Sequence, residues 1–585
     1  MQASKVELGV ISELNNLPRL KTHAAVENVV VDVAEGTDVD HERNSSLQEP
    51  AELDDQEPLT PIGRMFLEPD LYLCVLCTIG FQNLIDLEEL KHTLHNTLVK
   101  HKRFSSVVKK NKKGVATWVP IEVDMDALVF EPSGISKADM AAPDFVDNYV
   151  SDLATAPPIS LARPLWECHV LNGTSSAAAA GNAAPAAAAA HLVFRTHHCL
   201  GDGISIMSLL FACTRQTANP EKDPSILNRT RKSETLASST TPISFLKSVL
   251  KMLIFLWNTI RGITCLVATI LWLKDSNTVL KGPDHPGVDR QQQKRLVHTI
   301  INMDDMRFVK NAVGGTLNDV LLAMVDASLH RYLQGRYHKT TDLSPNPLPA
   351  AVSEDCKELQ QEAHNTKPNE PDEISINVRD TRGKFGVHVC GRKKSSSKVE
   401  KLRVRTVAMQ NIRGSGGLQD LAAMMKKGSN VRWGNCIGFW LFPFSLKHFS
   451  DPLDRVRTAM KVSNRIKASF EGPFTFWFGT LVSKCGMPSM MKMLTRREIT
   501  QTTMLVSNLP GPVEQIMLGN NPIVHMFPVV GGIPQSLCVY MQSYFGKVAL
   551  VVMIAKHVIP DPEMLSQYCV DALQEMKKAA VSLKA

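Results

Sequence analysis

Three hydrophobic patterns alternate along the chain. Short apolar, β-branched runs over 71–79, 166–171, 191–196 and 548–555 read as buried strands. Longer stretches with apolar residues three or four apart read as helices. Leu87, Leu90, Leu94 and Leu98 mark one over 87–102, and others are predicted over 204–211, 320–333 and 451–466, with a last one entered at Asp561-Pro562. The third pattern is a nearly unbroken apolar stretch over 252–273, ending before Lys274-Asp275. Its length would span a bilayer. At 100° per residue, however, Lys247, Lys251, Asn258, Arg261, Cys265 and Thr269 fall on one narrow stripe, with Leu253, Leu256, Ile260 and Val267 opposite. Arg261 facing lipid would cost about 2.5–3.5 kcal/mol. The pattern therefore predicts a helix lying in a membrane interface, or dipping in and returning, in preference to a conventional span.

Polar stretches divide the rest. Residues 1–56 carry scattered acids and little periodicity, and are predicted to be disordered. A first domain is expected over 57–215 and a linker carrying the apolar helix over 216–290. A second domain is expected over 291–585, with surface insertions near 338–372 and 386–405. The alanine-rich segment after Ser175-Ser176 reads as an expanded hairpin loop. A chain of 585 residues exceeds one ordinary core, which agrees with two domains. Hydrophobic content of 44% and charged content of 21% describe a globular protein, and a net charge of +7 over this length is a small bias that does not argue for nucleic acid, so none is expected as a partner. The twelve cysteines form no regular framework and suit a reducing compartment. Cys74 and Cys77 share CxxC spacing, but on a strand they face opposite ways, so no metal site is expected. The first residues, Met1-Gln2-Ala3-Ser4-Lys5, lack the basic and apolar regions of a signal peptide.

The candidate chemistry sits at a strand-to-helix junction, His197-His198-Cys199-Leu200-Gly201-Asp202-Gly203. Neighbouring strand residues point to opposite faces, so one imidazole faces a cavity while the other braces. A neutral imidazole is the side chain best suited to take a proton from a hydroxyl near neutral pH. Asp202 is placed to cap the helix that follows or to hold the loop, and Gly203 permits its turn. Elsewhere, Thr316-Leu317-Asn318-Asp319 forms a capping pattern with the shorter acid. Ser507-Asn508-Leu509-Pro510-Gly511-Pro512 has turn composition, and Trp166 reads as a buried strand start. Arg392-Lys393-Lys394 with Lys398, Lys401, Arg403 and Arg405 reads as a solvated loop, with CoA phosphates or an anionic membrane surface as functional options.

Taken in order, Arg163-Pro164-Leu165-Trp166-Glu167, the HHxxxDG stretch, Leu317-Asn318-Asp319-Val320 and Ser507-Asn508-Leu509-Pro510-Gly511-Pro512 resemble the wax ester synthase/diacylglycerol acyltransferase family, plant-type members above all. Glu57-Pro58-Leu59-Thr60-Pro61, Arg103-Phe104-Ser105-Ser106, Arg432-Trp433-Gly434-Asn435 and Asp451-Pro452-Leu453 are similar pieces, so the resemblance covers about 57–580. It implies an α/β fold of two similar domains with mixed sheets and an active-site channel between them, as in CoA-dependent acyltransferases. It implies transfer from acyl-CoA, a substrate and not a cofactor, to a long-chain alcohol or diacylglycerol. His198 is then the general base, supported by His197, Asp202 and Gly203. Trp166 lies beside the channel, Asn318 and Asp319 support the site, and Ser507 or Asn508 reaches the oxyanion. No metal or other cofactor is implied. The protein is expected on a membrane surface, that of the endoplasmic reticulum facing the cytosol or the cell membrane. A lipid-binding scaffold without catalysis, and an acyltransferase for small polar acceptors, are the other readings.

Overall fold

A computed structural model of the chain describes residues 57–68, 71–176, 188–225, 242–281, 293–341, 376–379, 385–388, 398–413, 433–485 and 487–583. The expected disorder of 1–56, the alanine-rich loop, most of the 338–372 insertion and Arg392-Lys393-Lys394 lie outside the described residues.

Two mixed sheets carry the architecture. The first runs in the order β4 (Val129–Phe130), β5 (Trp166–Ser176), β6 (Ala188–His197), β1 (Cys74–Phe81), β15 (Asn521–Gly531), β14 (Ile516–Leu518), β7 (Thr214–Gln216). The second runs β12 (Ile437–Pro443), β11 (Arg405–Asn411), β13 (Met504–Leu509), β16 (Leu537–Tyr544), β17 (Lys547–Ala555), β8 (Lys294–Asn302). Hairpins β2 (Ser106–Lys110) with β3 (Ala116–Pro120), and β9 (Ile376–Arg379) with β10 (Phe385–His388), stand apart. Among the described residues only β4–β5, β11–β13 and β13–β16 pair in parallel.

Helices cover the sheets: α1 (Pro61–Met65), α2 (Leu87–Asn96), α3 (Met125–Leu128), α4 (Lys137–Met140), α5 (Phe145–Thr155) and α6 (Gly203–Ala212) in the first half, then α7 (Pro242–Leu271). The second half adds α8 (Met303–Val313), α9 (Leu317–Thr341), α10 (Pro452–Lys467), α11 (Glu471–Lys484), α12 (Pro488–Gln501) and α13 (Pro562–Ser582). The unbroken apolar run of β17 follows from burial on both faces. Val548, Leu550, Val552 and Ile554 pack on the core shared with α8, α9, α10 and α13, while Ala549, Val551 and Met553 join the core of the first half. Expected elements appear with shifted ends. The helix from Leu87 stops at Asn96 and continues as a 3₁₀ turn over Leu98–Lys100, and α9 begins at Leu317 under its Thr316 cap.

Two expectations need correction. The division at 291 fails for β14 and β15, which lie in the first sheet: β15 pairs along β1 from Cys74↔Gly531 to Phe81↔Ile523. Such pairing is non-local, and no local period records which strand an apolar run will join. Ser507-Asn508-Leu509 is strand rather than turn, since β13 runs to Leu509 and only Pro510 ends the ladder.

The β1–β15 pairing also decides the topology of α7. The strands before and after this helix share one sheet, so a single crossing of a bilayer by α7 is incompatible with the fold. Its polar stripe faces the protein more than water. Asn258 donates from Nδ2 to the Ala468 carbonyl (3.2 Å), Gly262 lies against Glu471, and Thr269 meets the Arg405 guanidinium. Arg261 is the member of the stripe's middle that stays exposed. Arg405 likewise leaves the solvated basic stretch. It is buried on Asp275 (Nε–Oδ1 2.6 Å), and that carboxylate also accepts from the backbone N–H and hydroxyl of Thr503. These bonds fasten the C-terminal end of α7 to the second sheet.

Candidate active site

β6 is held between β1 and β5 and delivers His197 and His198 at its end. The His197 N–H donates to the Leu165 carbonyl and the His198 N–H to the Leu73 carbonyl, both at 2.9 Å. The two rings then part, as strand alternation requires. His197 lies edge-on to Tyr72 (5.0 Å between centroids) and its Nδ1 accepts from the Cys199 N–H (3.1 Å). Burial, with His198 and Arg195 adding, pushes its pKa down to about 3, so it stays neutral.

His198 packs on Phe66 (4.6 Å) and meets Asn435 from the second half of the chain. The amide of Asn435 has one arrangement that satisfies both its contacts. Its Nδ2 donates to the His198 carbonyl (3.1 Å), which turns Oδ1 toward the imidazole Nδ1 (3.1 Å). An amide oxygen only accepts, so Nδ1 carries the proton and Nε2 keeps its lone pair. Burial holds the pKa of His198 below its usual 6.5, outweighing its own carbonyl, Asp202 and Asn435, which favour the charged form. The ring is therefore a neutral base presenting Nε2.

Asp202 does two jobs. Its Oδ1 accepts from the Ser205 N–H (2.9 Å) and so caps α6, as the sequence suggests. Its Oδ2 accepts from the Cys436 N–H (2.9 Å) and pairs with Arg413 (2.8 Å), with both side chains almost fully buried. Arg413 also donates to the Ser205 hydroxyl (2.8 Å) and the Gly434 carbonyl, and Ser205 donates to that same carbonyl (3.1 Å). Gly434 adopts a left-handed backbone, φ +102, which lets this loop close on the histidine loop. At Gly203, a Cβ would stand 3.1 Å from Leu509 Cδ1, so a side chain there would press on the end of β13. Trp166 is fully buried in the core, its Nε1 donating to the Phe104 carbonyl (2.8 Å).

The remaining candidates form a separate group. Asp319 closes its cap with Thr316, accepting at Oδ2 from the Thr316 N–H (2.8 Å) and hydroxyl (2.7 Å). Asn508 Nδ2 donates to Asn318 Oδ1, and Ser507 is half-buried just before it on β13. Asn508 and Asn318 thus bond to each other and Asp319 to Thr316, whereas His198 bonds to Asn435; contact with the histidine loop is made by Leu509 on Gly203. Sequence reasoning missed Asn435 and Arg413 as site residues. Asn435 lay in a family-like stretch without a role, and nothing around Asn411-Ile412-Arg413 marks the arginine.

A buried, neutral histidine thus lies at the seam of the two mixed-sheet halves, clamped by Asn435 and with its loop held by the Asp202–Arg413 pair. Comparison with known proteins gives the family. Residues 82–321 match the model of the wax ester synthase/diacylglycerol acyltransferase catalytic domain and residues 433–577 that of the WS/DGAT C-terminal domain. Wax ester synthase/diacylglycerol acyltransferase 6 of Arabidopsis thaliana is 31% identical over 542 residues, covering 90% of this chain and 94% of its own. Number 11 of the same plant is 32% identical over 535 residues, covering 90% and 96%. The chain belongs to the wax ester synthase/diacylglycerol acyltransferase family and is an acyltransferase of that family. Its fold is similar to that of the solved wax ester synthase/diacylglycerol acyltransferase from Marinobacter aquaeolei VT8, with a TM-score of 0.50 at 15% identity, covering 90% of this chain and 99% of that one.

Proposed function

We propose that this protein moves a long-chain acyl group from acyl-CoA to the hydroxyl of a fatty alcohol, of diacylglycerol, or of both, with His198 as the general base. The observation that carries this reading is the Asn435 clamp, which leaves Nε2 as the proton acceptor on a buried, neutral ring. Nε2 takes the acceptor's hydroxyl proton as its oxygen attacks the thioester carbonyl. The tetrahedral intermediate collapses, and the proton on Nε2 passes to the departing CoA thiolate. Asp202 and Arg413 position the loop and His197 braces it. Leu509 on Gly203 brings the end of β13 to the histidine loop, and in this reading Ser507 and Asn508, with Asn318 behind, supply donors for the oxyanion. The thioester is already activated, so the reaction needs no metal or further cofactor.

Direct transfer is supported by the state of the two nearby nucleophiles. Cys199 is buried with its thiol pushed well above the usual range, and Ser205 Oγ is held by Arg413 and by the backbone of Gly434. Both substrates partition to membranes, so we place the enzyme on the cytosolic face of the endoplasmic reticulum. The test is an assay of membranes containing the protein, with labelled long-chain acyl-CoA and competing fatty alcohol and diacylglycerol. Label in wax ester or triacylglycerol names the acceptor. A trapped acyl-enzyme on Cys199 or Ser205, or absence of both products from folded protein, would overturn the reading.

A further inference from the structure

Helix α7 is built inside out for a protein in water. The stripe it turns to the body is mostly small and polar, with Asn258, Gly262, Cys265 and Thr269 at spacings of four, three and four beside Leu266, which packs on Val407 and Leu441, while most of the large apolar side chains point away. Trp257 is 67% exposed and Trp272 likewise. From Phe245 to Trp257 every residue but Val249 is exposed, so this part of the helix projects from the body. Thirteen residues at 1.5 Å make about 20 Å, short of the ~30 Å hydrocarbon core of a bilayer. The rest of α7 is fastened to the body through Asn258, Thr269 and the Asp275–Arg405 pair.

A second apolar row continues this surface. The N–H of Phe470 donates to Thr259 Oγ1 on α7 (2.9 Å), and Phe470, Phe474 and Phe478 follow at steps of four along α11, the last two stacked at 5.8 Å. Trp477, 63% exposed, and Leu481 share the row's outer side. α12 closes the group, its Arg497 donating to the Ile270 and Leu271 carbonyls at the end of α7. The charges of these three helices are one-sided. Lys247, Lys251, Arg261, Lys484, Arg496 and Arg497 are exposed, whereas the acids they contain, Glu471 and Glu498, are 2% and 8% exposed. An exposed apolar face rimmed by cations and free of exposed acids complements an anionic lipid surface and repels few of its headgroups.

We propose that α7 and the Phe470–Leu481 row of α11, with the basic rim that α12 completes, form one face that seats the protein on a single leaflet of an anionic bilayer. Phe245–Trp257 enters that leaflet without crossing it. This face reaches the site through α1. Ser483 on α11 donates to the Pro61 carbonyl (3.4 Å), Thr495 on α12 touches Met65, and a Cβ on Gly63 would stand 3.1 Å from the Cys199 carbonyl. Resting on the proposed function, the seat thus places the histidine loop behind α1, which itself lies behind the helices that meet the lipid holding the acceptor.

The test is flotation of the purified full chain with vesicles of phosphatidylcholine alone and of phosphatidylcholine with phosphatidylserine. The triple variant Trp477→Ser, Phe478→Ser, Leu481→Ser changes only exposed side chains. We expect wild type to float with the anionic vesicles and to dissociate on raising salt, and the triple variant to float at least about tenfold less while keeping turnover of detergent-dispersed acceptor. Equal flotation of wild type and variant would overturn the role of α11, and equal binding to neutral vesicles would overturn the anionic partner. Wild type that stays in solution as a dimer, with the triple variant monomeric, would assign the face to a second copy and overturn the proposal. Because the readout is binding, a His198→Ala protein that floats normally without turnover separates failure of the seat from failure of the chemistry.

Discussion

Asn435→Ala removes the clamp on the His198 imidazole, the general base of the proposed reaction, while leaving the imidazole in place. The wild-type amide makes two contacts, Oδ1 to Nδ1 at 3.1 Å and Nδ2 to the His198 carbonyl at 3.1 Å. Each net hydrogen bond is worth about 0.5–1.5 kcal/mol, together about 1–3 kcal/mol. At about 1.4 kcal/mol per tenfold change, kcat should fall by roughly 5- to 150-fold, through loss of the reactive tautomer and of ring orientation. KM for acyl-CoA should move little. A steady-state assay with saturating acceptor reads this directly, and the pairing with His198→Ala sharpens it: residues that act as a unit are non-additive, so the double variant should be no slower than His198→Ala alone. Asn435→Asp gives a second signature. A carboxylate beside Nδ1 stabilises the imidazolium, raising a pKa that burial holds below 6.5, so the acid limb of the kcat profile should move to higher pH. Wild-type turnover in Asn435→Ala, or a double variant slowed by the product of the single effects, would refute the assignment of Asn435 as the positioning residue.

Other consequences follow from single contacts. Arg413→Met leaves the buried Asp202 carboxylate uncompensated and should destabilise the fold by about 3–5 kcal/mol in denaturant unfolding, with Asp202→Asn in the same chain recovering part of it. Trp166→Ala should cost about 3–5 kcal/mol of stability while the folded fraction keeps near-normal KM, because Trp166 is core and bonded to Phe104. Glu498, buried beneath α7, has its pKa raised from an ordinary 4.5 to about 7 by burial and then by Glu471. Between those values the native state holds a proton that the unfolded chain has released, so stability is lost as pH rises from about 4.5 to 7 and stays level above. Glu498→Gln should therefore melt higher than wild type at pH 8, by up to on the order of 3 kcal/mol, and similarly at pH 4. A constant difference across that range would contradict the burial of this carboxyl in its acid form.

Much of this fold is written locally. The strand at His191–Thr196, the Asp202 cap, the Thr316–Asp319 box and the Asp451 cap of α10 each follow from a few neighbouring residues, and the structure keeps all of them. What is not written locally is pairing at a distance. β15 lies more than 400 residues from β1, and its apolar run carries no mark of the sheet it joins. The site divides in the same way. His197, His198, Asp202 and Gly203 are legible because they form one turn, but Asn435 stands 237 residues beyond the imidazole it orients. A lone asparagine in a loop has many ordinary uses, and only the fold reveals that its amide has a single satisfiable orientation. The helix α7 was legible as apolar and amphipathic, yet nothing in its pattern tells that Asn258 and Thr269 of the polar stripe bond to the protein while Lys247, Lys251 and Arg261 stay exposed. A polar stripe facing solvent and one facing hydrogen-bond partners have the same period.

The central claim is that Nε2 of His198 removes the acceptor's proton. It is tested most directly by turnover of His198→Ala and His198→Gln beside wild type, in membranes supplied with labelled long-chain acyl-CoA and both acceptors. Each variant should lose at least about a hundredfold in ester formation, with unchanged melting and unchanged vesicle binding. Ester formation near the wild-type rate by either folded variant would contradict it.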